Sequence, residues 1–165
     1  MAIAFSTKGE LVAMSLQGEL ILRDAGTWDV RENLGPVSEY AGTTPIVFMR
    51  NDQWIAAKAE NDVVVRKISS NERQIIPGDS PAFGALLAWC PGPNVLAIAN
   101  ETEIQLWDAS AQELHKITDG SDSFLVSLVS SKGGGILVAG RKDGTVELVS
   151  VAEQKFYGPG KPMPA

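Results

Sequence analysis

His115 and Cys90 are the side chains best suited to nucleophilic or metal chemistry, and the chain carries one of each. A nucleophile needs a base within hydrogen-bond reach, and a structural zinc needs about four Cys or His ligands. His115 lies between Leu114 and Lys116 in a short polar stretch, where a surface position is expected. Cys90 follows Trp89 in an apolar run, where a core thiol is expected. The glycine clusters 132–135 and 158–162 resemble phosphate cradles at first sight. Pro162 stands where a P-loop needs a hydroxyl, however, and no helical pattern follows. Asn100-Glu101-Thr102 has the form of a glycosylation sequon but falls where a hairpin turn is expected. The carboxylates of Glu60, Glu101, Asp119 and Asp122 are scattered through turns, and Arg141-Lys142 is the densest basic pair, also in a turn. No catalytic, cofactor-binding or metal-binding residue is assigned on these patterns.

The elements that carry these residues repeat four times. LLAWCPGPNVLAIANETEIQLWDASAQELHKI, residues 86–117, is the clearest copy, and AIAFSTKGELVAMSLQGELILRDAGTWDV aligns with it strand for strand. Phe5, Leu11 and Leu20 take the offsets of Trp89, Val95 and Ile104, as do Phe48, Trp54 and Val63. Leu22, Val65, Leu106 and Leu148 stand 43, 41 and 42 residues apart on the third strand of each copy. A fixed period of this length marks units that bury their faces only by stacking. The fourth copy has longer hairpins, and Asp143-Gly144 there predicts a type I′ turn with positive φ at both central residues.

Within each copy the pattern is that of strands. Residues 11–15 and 95–99 are apolar on both faces with small residues interleaved, as in a strand covered on both sides. Leu20, Leu22, Ile104 and Leu106 alternate with Ile21 and Gln105, which predicts a less covered face there. Residues 28–32, 72–76, 113–117 and 154–157 are shorter and more polar, and predict exposed outermost strands. No segment has helical periodicity.

Composition bounds the function. Hydrophobic residues make up 44% and charged residues 21% of the 165, as in ordinary globular chains. No apolar stretch approaches a membrane span, and Lys8 and Glu10 interrupt any signal-peptide core. A single cysteine leaves no internal disulfide, so a reducing, cytoplasmic setting is expected. The net charge of −6 argues against a nucleic-acid partner and leaves basic protein surfaces as partners.

Period, strand pattern and the Trp107-Asp108 ending together resemble the WD40-repeat β-propellers along nearly the whole chain. The resemblance implies an all-β fold of four blades, each of four antiparallel strands, over residues 1–157. The blades fall near 1–35, 36–78, 79–119 and 120–157, followed by a linker-like tail, 158–165. Much of the family signature is missing. Family blades commonly carry a Gly-His pair whose histidine meets an Asp in the second hairpin turn. His115 lies in the wrong place for it, Asp143 alone is placed to be such an Asp, and Arg23, Arg66 and Val149 replace the Trp107 equivalent. These blades are therefore expected to rely on apolar packing. Family rings resemble closed circles of seven or eight blades, so four blades imply half of a larger closed ring. A homodimer is the first expectation, with a partner chain, a fragment or a closed four-bladed ring as alternatives.

In such a fold the turns between second and third strands share one rim with the connections into each first strand. That rim is expected to hold Glu60, Glu101 and Lys142 from the turns, and Tyr40, Asp79, Phe83, Asp122 and Phe124 from the connections. Exposed aromatics with charged neighbours are where binding energy concentrates. The alternative is that Tyr40, Phe83 and Phe124 tuck beneath the loops. Lys58 is unusual, because Ser15 and Ala99 hold the same strand position in other copies. The expected function is a non-catalytic scaffold that docks another protein or peptide. A propeller enzyme or small-ligand site completed at the channel by a second chain is the alternative.

Overall fold

The computed structural model describes residues 2–37, 45–80, 82–117 and 120–158. Each span holds one four-stranded antiparallel sheet with its strands in chain order. Blade 1 consists of β1 (Ile3–Phe5), β2 (Leu11–Leu16), β3 (Glu19–Asp24) and β4 (Val30–Pro36). Blade 2 consists of β5 (Ile46–Met49), β6 (Trp54–Ala59), β7 (Asp62–Lys67) and β8 (Arg73–Ile76). Blade 3 consists of β9 (Leu86–Cys90), β10 (Val95–Ala99), β11 (Ile104–Asp108) and β12 (Glu113–Ile117). Blade 4 consists of β13 (Leu125–Ser130), β14 (Ile136–Arg141), β15 (Val146–Ser150) and β16 (Lys155–Tyr157). No helix among the described residues is long and apolar enough to cross a membrane.

The repeat offsets reappear as register. Val12 pairs with Arg23, Ile55 with Arg66, Leu96 with Trp107 and Leu137 with Val149, one pair in each blade. Cross-strand partners share a face, so each blade has two equivalent faces, one containing this pair. We call that one the rear face and its opposite the front face. The strands apolar on both sides are buried on both sides: Val12, Ala13, Met14 and Ser15 are buried, as is all of Val95–Ala99.

The chain divides into two units, Met1–Ala85 and Leu86–Ala165. In the first, β1 lies beside β5, and Ala13, Leu20 and Leu22 on the front of blade 1 pack with Phe48, Ile55 and Ala57 on the rear of blade 2. In the second, β9 lies beside β13, and Ala88, Ala97 and Leu106 on the front of blade 3 pack with Leu128, Leu137 and Val149 on the rear of blade 4. The two blade-on-blade contacts are the same contact, made twice. Each fully buried Leu or Ile in them contributes about 1.5–3 kcal/mol.

The ends of the first hairpins lock each pair. Thr7 N and Lys8 N donate to the Asp52 carboxylate at 2.8 and 3.2 Å in the first unit. In the second, Gly92 N donates to Gly133 O at 3.1 Å. Gly134, at φ +74°, sits so close beneath that a Cβ would lie 2.6 Å from the Cys90 and Pro91 backbone.

Four local expectations are corrected. Asp143-Gly144 does not form a type I′ turn: Gly144 is at φ +89° and Asp143 is not at positive φ. Gly144 N donates to Arg141 O at 3.0 Å and Arg141 N to Thr145 O at 2.8 Å, giving a three-residue loop that ends in a left-handed glycine. The type I′ pattern falls instead on Gln17 and Gly18, at φ +51° and +77°. The outermost strand of blade 1 starts at Val30 rather than Trp28, because Asp24 Oδ1 accepts from Gly26 N and Thr27 N and prolongs the turn. Gln105 is buried at 7% exposure, so both faces of β11 are covered. Arg141 is a buried strand residue rather than part of an exposed basic turn.

Candidate functional site

The two residues with catalytic potential are held apart. Cys90 ends β9 at one edge of its sheet, is fully buried, and its thiol pKa is pushed up by that burial. His115 lies on β12 at the other edge, three strand spacings of about 4.8 Å each away. Its Nε2 is 3.7 Å from Glu113 Oε2 on an exposed stretch. Among the described residues no three His, Cys, Asp or Glu side chains are grouped to hold a metal ion.

The turns and connections build a different kind of site in the second unit. Leu125 N, entering β13, donates to Glu101 O in the β10–β11 turn at 2.6 Å, which draws the connection against that turn. The turn itself is shaped by Asn100, whose Oδ1 accepts from Thr102 N at 3.1 Å and Glu103 N at 2.9 Å. Lys142 N, in the β14–β15 turn, donates to Phe124 O at 2.8 Å. Three loops thus meet, and Asp122, Ser123, Phe124, Lys142 and Asp143 line one open hollow of about 320 Å³. Phe124 is 45% exposed, with Lys142 Nζ 6.0 Å from the centre of its ring. Asp143 is held ionised below the usual carboxylate range, chiefly by the backbone N–H of Thr145. The hollow therefore presents an aromatic face, one ammonium and two carboxylates.

What steadies this hollow is buried. Arg141 Nε donates to Glu147 Oε2 at 2.7 Å, and its Nη1 donates to Ser123 O at 2.6 Å. Its guanidinium carbon also lies 5.7 Å from the Phe156 ring centre. Composition gave no sign of this ion pair, and these blades do not rely on apolar packing alone. The available signal was Arg141 and Glu147 six residues apart across a hairpin, which reads equally as two exposed charges.

The first unit arranges its expected residues otherwise. Glu60 is exposed in the β6–β7 turn at φ +53°, and Asp79 is exposed in the segment that follows β8. That segment crosses the turn closely: a Cβ on Gly78 would lie 1.8 Å from Asn61 O, and Gly78 N donates to Asp62 Oδ1 at 3.1 Å. Phe83, expected on the rim, is only 1% exposed and is corrected to a core position, its ring lying over the Gly78 backbone. Lys58 accounts for this. It is buried, its Nζ donates to Phe83 O, and burial lowers its pKa. Tyr40 and Asp119 lie outside the described residues. Of the expected rim, Asp122, Phe124 and Lys142 are brought together with Glu101 beside them, whereas Glu60 and Asp79 belong to the first unit.

Residues 87–158 match the family described as the Anaphase-promoting complex subunit 4 WD40 domain. The APC/C activator protein CDC20 of Saccharomyces cerevisiae is 32% identical over 94 residues, 54% of this chain and 15% of that protein. Among solved structures, a chain of the mitotic checkpoint complex superposes with a TM-score of 0.77 at 17% identity, covering 94% of this chain and 47% of its own length. The β-propeller domain of Cps50 (Swd1) from Myceliophteria thermophila gives 0.74 at 16% identity, covering 93% of this chain and 52% of that one. The chain thus spans about half the length of the propellers whose fold it shares.

Proposed function

The chain belongs to the WD40-repeat β-propellers, and from that premise we propose that it is a non-catalytic scaffold that docks a protein or peptide segment at the Phe124 hollow. The observation that carries this is the convergence of Asp122, Phe124, Lys142 and Asp143 around one open depression, on loops fixed by backbone hydrogen bonds. An exposed aromatic on rigid loops offers contact area at low entropic cost, and flanking charges fix orientation. The separation of Cys90 from His115 supports a role without catalysis. So does the family, whose propellers generally act by binding. The matched relatives are named for an activator or subunit of the anaphase-promoting complex and for the mitotic checkpoint complex, and we take this chain to work likewise among several proteins. Its acidic charge suits a basic partner surface, in a cytoplasmic setting. Glu60, Asp79 and Glu101 would extend the docking rim. The four blades would serve within a larger ring, completed by a second copy of the chain.

The test places a photo-cross-linking residue at Phe124, and at Leu114 on the outer strand β12 as a control. A defined polypeptide joined at position 124 and not at 114 supports the reading. Equal capture at both positions, or none at 124, rejects it.

A further inference from the structure

Of the four second strands, β14 differs in having one side open. Val138 is 38% exposed, whereas its equivalent Ala97 in blade 3 is fully buried. Register places Val129, Val138 and Leu148 side by side on the front of blade 4, with Val146 two residues along β15. Val129 is 63% and Val146 56% exposed, and Val126 in the adjoining bulge is 55% exposed. A row of aliphatic side chains this open on a folded sheet marks a surface that another surface covers.

The chain itself shows what covers such a face. The front of blade 1 is buried by the rear of blade 2, and the front of blade 3 by the rear of blade 4. At the other end of the chain the rear of blade 1 is open along its flanking strands β1 and β4, while Val12 and Met14 on β2 between them are buried. Register puts Phe5 with Val12, Arg23 and Val30, and Ile3 with Met14 and Ile21, on the rear of blade 1. There Phe5 is 65%, Val30 55% and Ile3 50% exposed. We propose that the valine face of blade 4 docks on the Phe5 face of blade 1 in a second copy of this chain, repeating the blade-on-blade contact made within each unit. The proposal rests on the reading that further blades complete the chain, and it assigns the two surfaces that do so. The junction is head-to-tail, so each one consumes one front face and one rear face.

Light scattering on a size-exclusion column, over a dilution series, tests this with single-face variants. The unaltered chain is expected at twice its 17.6 kDa mass or a higher multiple. Val129→Glu and Phe5→Glu should each run as monomers with an unchanged far-ultraviolet spectrum. Mixed together they should regain a two-chain complex, because one variant keeps its rear face and the other its front face. If Val129→Glu unfolds, Val146→Glu takes its place. A monomeric unaltered chain, an assembly that survives either substitution, or variants that stay separate on mixing would each overturn the proposal. Phe124→Ala should leave the mass unaltered, so failure of the hollow to capture a partner is read separately from failure to assemble.

Discussion

Arg141 and Glu147 face each other across the β14–β15 hairpin with Nε to Oε2 at 2.7 Å, their side chains 1% and 11% exposed. The same guanidinium reaches Ser123 O, so one buried cation ties the hairpin to the connection that carries Phe124. Losing either partner strands a charge in the interior, at a cost of about 3–5 kcal/mol. Glu147→Gln and Arg141→Met should each lower stability by that order in urea unfolding. The double replacement Arg141→Met with Glu147→Leu should cost less than either single change. Additive losses would show that the two side chains act independently.

Two phenylalanines in loops should behave oppositely. Phe83 is 1% exposed against Gly78, and truncation to Ala should cost about 3–5 kcal/mol in chemical denaturation. Phe124→Ala removes an exposed ring and should change stability by no more than about 0.5–1 kcal/mol, while abolishing capture by a cross-linking residue placed at Lys142 on the same hollow. Comparable destabilisation by both would place Phe124 in the core after all.

Gly134 and Gly133 are neighbours in sequence with different constraints. Ala at Gly134 meets a left-handed backbone and the Cys90–Pro91 main chain, and should lower stability by more than about 1–2 kcal/mol. Ala at Gly133 enters open space and should be close to neutral. Thermal melts of the two variants settle the comparison.

Asp24 titrates at about 2 rather than 3.8, chiefly because the Arg31 side chain hydrogen-bonds it, with Thr27 N and Gly26 N adding to the effect. A carboxyl depressed in the folded state contributes stability above its ordinary pKa, and that contribution is lost as pH falls from about 4 towards 2. Carboxyl-carbon NMR should find the Asp24 midpoint near 2, rising in Arg31→Ala but staying below 3.8 because the backbone donors remain. An unmoved midpoint would remove Arg31 as the cause.

Much of this protein was legible as period and alternation. The sixteen strands among the described residues and their four-by-four grouping follow from a 41–43 residue spacing and from which positions are apolar, because strand faces and repeat offsets are local properties of the chain. Phe124 and Lys142 were expected on one rim with a buried Phe124 as the alternative, and the structure leaves that ring exposed, while Cys90 and His115 fell where their neighbours in sequence implied. Loops defeated the same reasoning. Phe83 and Phe124 both follow a polar connection, but Phe83 turns inward because Lys58 holds its carbonyl and Gly78 leaves room for its ring. Arg141 and Lys142 are adjacent in sequence, and only the pairing of β14 with β15 sends one to Glu147 and the other to solvent. Val138 likewise differs from Ala97 through what lies opposite it, not through any pattern in its own strand. Strand positions and the residues that share a strand face could be read along the chain, since they depend on residues two to a few positions apart. Which side chains are buried, paired or left open was decided by tertiary structure, because burial is a property of the surface that a neighbour presents.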